Sequence, residues 1–113
     1  MALLPEPSPD IDTAQAGDIE LLDINEQNMD SVLSTLSSET ARTLLVAITE
    51  EPGTPSALAT RLDVSLQTVS YHVDALEGAD LIRVAGTRYS EKGREMKIYA
   101  PCENPVVLVF GAD

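Results

Sequence analysis

The chain has 113 residues, a formal net charge of −12, no Trp, one Phe and a single Cys. That length fits one domain with a largely aliphatic core, and lone Cys102 excludes an internal disulfide and suits a reducing cytoplasm. Apolar runs such as Val106 to Phe110 are far too short to span a bilayer, and Glu6, Asp10 and Asp12 stand where a secretory signal carries bases.

Residues 1–24 read as an acidic, disordered arm. Pro5, Pro7 and Pro9 interrupt it, and the 28 residues up to Asn28 hold seven acids and no Lys or Arg. Such a segment buries too little apolar surface to offset the entropy of ordering. Within it, Ile19 to Ile24 fits a short strand, a helical turn or a docking segment, and periodicity does not choose among them.

The domain proper is expected over residues 25–101. Val32, Leu33 and Leu36, with Met29 a turn earlier, predict a first helix over 26–36. Ser37 and Ser38 offer hydroxyls to start a second helix, whose stripe is Ala41, Leu44, Leu45 and Ile48. Pro52 and Gly53 end it. Thr54 followed by Pro55 marks the start of a third helix, with Leu58 and Leu62 turned inward and a stop near Asp63. Ser65 then caps a fourth helix over 65–79. The period changes after that. Residues 81–85 and 96–100 read as two strands, joined by a polar loop over 86–95, and residues 102–113 form a strand-like tail. Val106 to Phe110 fits either an added edge of that hairpin or a subunit contact. The fold class is mainly α with a small β-hairpin, a winged helix-turn-helix.

Function concentrates in the fourth helix and the hairpin. At 100° per residue, Leu66, Val69, Val73 and Leu76 share one arc with His72 at its edge, while Gln67, Ser70, Tyr71 and Asp74 lie opposite and Thr68 flanks them. A helix held from behind, with short hydrogen-bonding side chains near its N-terminus, suits a major groove. Between Arg83 and Lys97 the acidic chain carries five bases against two acids, a local reversal that suits phosphate. The expected DNA-contacting residues are Ser56, Gln67, Thr68, Ser70, Tyr71, Arg88, Lys92 and Arg94. One His, no paired-carboxylate geometry, no phosphate-cradling glycine loop and no nucleophile motif argue against an enzyme. A winged helix serving only as a protein-interaction module is the alternative.

Three segments carry a family resemblance: Thr54 to Ala59, Val64 to Leu76 and Ala79 to Ile82. Together they resemble the ArsR-type winged helix-turn-helix regulators, over about two-thirds of the chain. The most specific part is Ser65, Thr68, Val69, Ser70, His72, Val73 and Leu76. The resemblance implies a homodimeric transcription factor that binds double-stranded DNA through its fourth helix. There are departures. In the family the positions of Tyr71 and Asp74 often hold Arg or Lys, and Asp80 stands where a Gly usually follows the recognition helix. Asp tolerates the left-handed backbone that such a Gly adopts. Metal-sensing members carry Cys pairs or His/Asp clusters, whereas Cys102 and His72 stand alone here, so no metal or cofactor is expected. The family's last helix, a dimer element, is replaced by the apolar tail. The abundance of Asp and Glu with only two Lys is similar to proteins of salt-accumulating haloarchaea, whose carboxylate-rich surfaces stay hydrated.

Overall fold

In the computed structural model, which describes residues 13–15, 17–23 and 28–111, the elements follow in the order β1 (Glu20–Asp23), α1 (Met29–Leu36), α2 (Glu39–Glu50), α3 (Pro55–Leu62), α4 (Leu66–Gly78), β2 (Ile82–Tyr89), β3 (Glu95–Pro101) and β4 (Val106–Val109). Three side-chain caps set the helix starts. Ser38 accepts the Ala41 N–H at 3.2 Å, Thr54 the Ala57 N–H at 3.2 Å and Ser65 the Thr68 N–H at 3.0 Å. Each satisfies a donor that the first helical turn leaves free, and Pro55 needs no such partner at the start of α3.

The ends of α3 and α4 are built alike. Asp63 (φ 55°) and Asp80 (φ 60°) adopt the left-handed conformation. Around them, Val64 N–H donates to Ala59 O at 3.1 Å and Leu81 N–H to Leu76 O at 3.0 Å. These six-to-one bonds close Schellman turns, in which a Gly is usual and an Asp tolerated.

The core gathers one stripe from each helix. Leu44, Ile48, Leu58, Val69, Val73 and Leu76 are its largest fully enclosed side chains, with Met29 and Val32 of α1 beside them. Two expected core residues lie outside it. Leu33 is exposed on α1, and Leu66 is 51% exposed at the first position of α4. At a helix end the arc drawn from periodicity has no neighbouring element behind it.

Strands β2 and β3 pair antiparallel, with a bulge between Val84 and Gly86. The link between α2 and α3 joins them: Gly53 N–H donates to Tyr99 O at 3.1 Å and Tyr99 N–H to Gly53 O at 2.8 Å. The hairpin is longer than expected. Residues 86–89, read as loop, continue β2, so the turn shortens to 90–94. There Ser90 N–H donates to Arg94 O at 2.8 Å and Gly93 takes φ 77°. Polar residues mask strand periodicity when neither face of a protruding hairpin is buried.

The chain ends meet. Strand β4 pairs in parallel with β1, Glu20 opposite Val106 and Asp23 opposite Val109. The tail is therefore not an edge of the hairpin sheet, and residues 20–23 of the expected arm form a strand. The remainder of the arm up to residue 12 lies outside the described residues.

Candidate nucleic-acid interface

Helix α4 is anchored by Val69, Val73 and Leu76, all enclosed. Its opposite face carries Gln67, Ser70, Tyr71 and Asp74 in the open. Thr68 is half-buried, and its hydroxyl accepts from Ser65 Oγ at 2.8 Å, so it helps fix the start of the helix. Tyr71 presents its ring to solvent and packs edge-on against His72, with centroids 5.1 Å apart. Ser56 is exposed on the first turn of α3, the preceding helix.

The cations divide into two groups. Arg42 donates to Leu36 O at 2.6 Å, closing the end of α1. Arg61 donates to Glu51 O at 2.6 Å and pairs with the Glu51 carboxylate at 2.8 Å, closing the end of α2. Arg83 donates to Ala14 O at 3.0 Å and so holds the N-terminal segment against the hairpin. These three are structural staples, including Arg83, which the sequence grouped with the wing bases. Among the described residues, the side chains of Arg88, Lys92, Arg94 and Lys97 make no hydrogen bond or ion pair, although Arg94 N–H donates to Ser90 Oγ at 3.0 Å. All four belong to the wing.

Strand alternation separates them further. Lys97 pairs with Thr87 and shares the face of Tyr99, whereas Arg88 pairs with Met96 and shares the face of Ile98. Lys92 and Arg94 sit in and beside the turn. Lys97 was not singled out as a contact from the sequence; its signal was the two-residue step to Tyr99, legible only once the register is known.

The Tyr99 hydroxyl is held above its ordinary pKa, chiefly by burial and then by the negative charges of Glu77 and Asp74. The C-terminal half of α4 therefore faces the base of the wing with carboxylates. Its N-terminal half differs: no acid occurs from Val64 to Val73. The first two turns of α4 therefore carry no negative side chain to repel an anion. Among the described residues no three His, Cys, Asp or Glu side chains gather into a metal-binding set, and no described helix is long and apolar enough to cross a membrane.

A helix-turn-helix domain model matches residues 36–85, which run from the end of α1 into β2. The fold is similar to an ArsR-like transcriptional regulator from Rhodococcus sp. RHA1, at 28% identity and a TM-score of 0.54, covering 66% of this chain and 64% of that one. The fold is a winged helix-turn-helix, similar to that of ArsR-like regulators. A second ArsR family transcriptional regulator matches at 24% identity and a TM-score of 0.52, over 66% of this chain and 71% of that one. Reduced HlyU from Vibrio cholerae shares the fold at 19% identity and a TM-score of 0.51, over 66% of this chain and 73% of that one. The chain thus spans just under two thirds of the length of the Rhodococcus regulator. No curated protein sequence matches it. In these terms α3 and α4 are the two helices of the helix-turn-helix, and β2 and β3 its wing.

Proposed function

We propose that this chain is a sequence-specific, DNA-binding transcriptional regulator that acts as a homodimer in the cytoplasm. Helix α4 enters the major groove with Gln67 and Ser70 toward base edges and Tyr71 toward a phosphate or a thymine methyl. Thr68 and Ser56 meet the adjoining backbone, and Arg88, Lys92 and Arg94 of the wing contact phosphate, with Lys97 as an addition from the register. The observation that carries this reading is the division of cations. Of the seven bases, Arg42 and Arg61 close helix ends and Arg83 holds the N-terminal segment, whereas the side chains of Arg88, Lys92, Arg94 and Lys97 have no partner among the described residues. Long cationic side chains without an internal partner in a strongly acidic protein suit a polyanion.

The test is a selection of bound duplexes from a random-sequence pool, followed by anisotropy titrations of the recovered site. Gln67→Ala with Ser70→Ala should cost roughly 1–3 kcal/mol of binding for a lost base contact, with unchanged thermal unfolding because both side chains are exposed. Equal affinity of variant and parent would move the reading face elsewhere. Failure to recover any duplex across a range of KCl would overturn DNA binding in favour of a protein-interaction module.

A further inference from the structure

Leu66 departs from the pattern of its own helix. It continues the arc of Val69, Val73 and Leu76, all enclosed, yet it is exposed and takes no part in the core. The cause is its position. Ser65 caps α4 by accepting the Thr68 N–H, so Leu66 is the first helical residue. Side chains on a helix lean toward its N-terminus, and a first residue has no preceding turn to lean on. Leu66 therefore extends the leading end of α4 with an apolar group.

A single exposed Leu is ordinary on a protein surface; the company it keeps is not. Leu66 stands one turn before Ser70 on the same ridge and next to Gln67, and Tyr71 is exposed a turn further on. This end of α4 thus offers an aliphatic group, an amide, a hydroxyl and a phenol ring, with no Asp, Glu, Lys or Arg from Val64 to Val73. The bases differ in what they present to such a surface. Guanine is most often held by a bidentate Arg or Lys, and α4 has neither. Cytosine is taken by a carboxylate, which first appears at Asp74, two turns from the leading end. Adenine suits the Gln67 amide, and thymine alone among the four bases carries a methyl group into the major groove. An aliphatic side chain gains by burying that methyl and has nothing to offer a phosphate.

We propose that Leu66 is a specificity-determining residue, which takes up the 5-methyl group of a thymine next to the adenine contacted by Gln67. The inference rests on the DNA-binding reading and adds to it the base that the leading turn of α4 selects. Apolar surface that folding leaves in water at Leu66 is then buried when α4 enters the groove.

Anisotropy titrations of the full chain test it on the duplex recovered from the random-sequence pool, with each thymine replaced in turn by uracil. Uracil pairs as thymine does and lacks the methyl. At one thymine or more under α4 the parent should lose about fourfold in affinity, the worth of one buried methyl group. Leu66→Ala should bind the thymine duplex at least as weakly as the parent binds the uracil one, and should no longer tell the two apart. Its thermal unfolding should match the parent's, because Leu66 lies outside the core. Gln67→Ala should weaken binding to both duplexes and keep their ratio. A parent indifferent to uracil at every position, or a thymine preference that persists in Leu66→Ala, overturns the proposal and leaves DNA binding standing. Failure to recover any duplex overturns the DNA-binding reading, and this assignment with it.

Discussion

Asp80 carries more information than its exposed position suggests. Its φ of 60° closes the Schellman turn after α4, and the sequence pointed there because an Asp replaces the Gly that the resemblance leads one to expect. For a side chain with a Cβ the left-handed region costs about 1–2 kcal/mol, less for Asp than for other residues. Asp80→Gly should therefore stabilise the domain by up to about 1 kcal/mol, while Asp80→Val should destabilise it by more than about 1 kcal/mol. Urea unfolding at constant KCl reads both; a gain from Val would mean the turn is not held left-handed in solution. The buried side of α4 follows a different logic. Val69→Ala and Leu76→Ala each open a cavity in a fully enclosed site, at a cost on the order of 2–4 kcal/mol. Losses below about 1 kcal/mol at both sites would mean that the helix is rotated from the position described. These residues were legible because a helix in mid-core keeps its period. Leu33 and Leu66 were not, because each stands on a flank or end where periodicity has nothing to pack against. Cys102 is the third case. Burial pushes its thiol above the ordinary value, despite the hydrogen bond from Gln15, and its Sγ donates to Asn104 O at 3.2 Å. It should react with iodoacetamide more slowly than free cysteine at the same pH, since the thiolate is the nucleophile.

The wing shows what an element needs beyond its own sequence. Its two strands were legible at the ends near the core, where Ile82 and Ile98 to Ala100 are buried, and became illegible where the hairpin leaves the body and polar residues occupy both faces. The pairing of β1 with β4 was hidden for another reason. Each run had the composition of a strand, but a partner more than eighty residues away leaves no local trace. What the wing does depends on its turn, tied by Ser90 to Arg94 and by a left-handed Gly93. That turn presents Lys92 and Arg94 without internal partners among the described residues. Replacing both with Gln should weaken binding to every duplex alike and shift the slope of log affinity against log salt by about 2 toward zero or above, one per lost phosphate contact. Thermal stability should not change. Arg61→Gln makes the opposite pair of effects. It removes the hydrogen bond to Glu51 O and the ion pair with Glu51, so it should lower stability by roughly 1 kcal/mol and leave the salt slope untouched. If the two variants exchanged phenotypes, the division of cations into staples and contacts would be wrong.

At the scale of the whole molecule, the chain carries 19 acids against 7 bases, and dilute buffer sets the body against the ligand it is proposed to bind. Phosphate contacts ordinarily weaken steeply with salt, because each neutralised phosphate releases counterions that high salt makes costly to release. Two features reduce that dependence here. The half of α4 proposed to read DNA offers Gln67, Ser70 and Tyr71 rather than bases, and base-edge hydrogen bonds do not release counterions. Meanwhile the carboxylates, including Asp74 and Glu77 beside the wing, repel the duplex over distances that salt shortens: the Debye length is about 10 Å at 0.1 M and about 3 Å at 1 M. Screening therefore removes a penalty as it removes an attraction. The haloarchaeal likeness in composition points the same way, since self-repulsion of a −12 chain also opposes folding and dimer formation. Specific affinity should be nearly flat, or should rise, from moderate to molar KCl, and unfolding temperature should climb over the same range. Titrations of the selected duplex at several KCl concentrations, run beside thermal melts in the same buffers, check both. A steep fall in affinity together with full stability in dilute buffer would mean that the acidic surface is a bystander and that the wing bases alone govern binding.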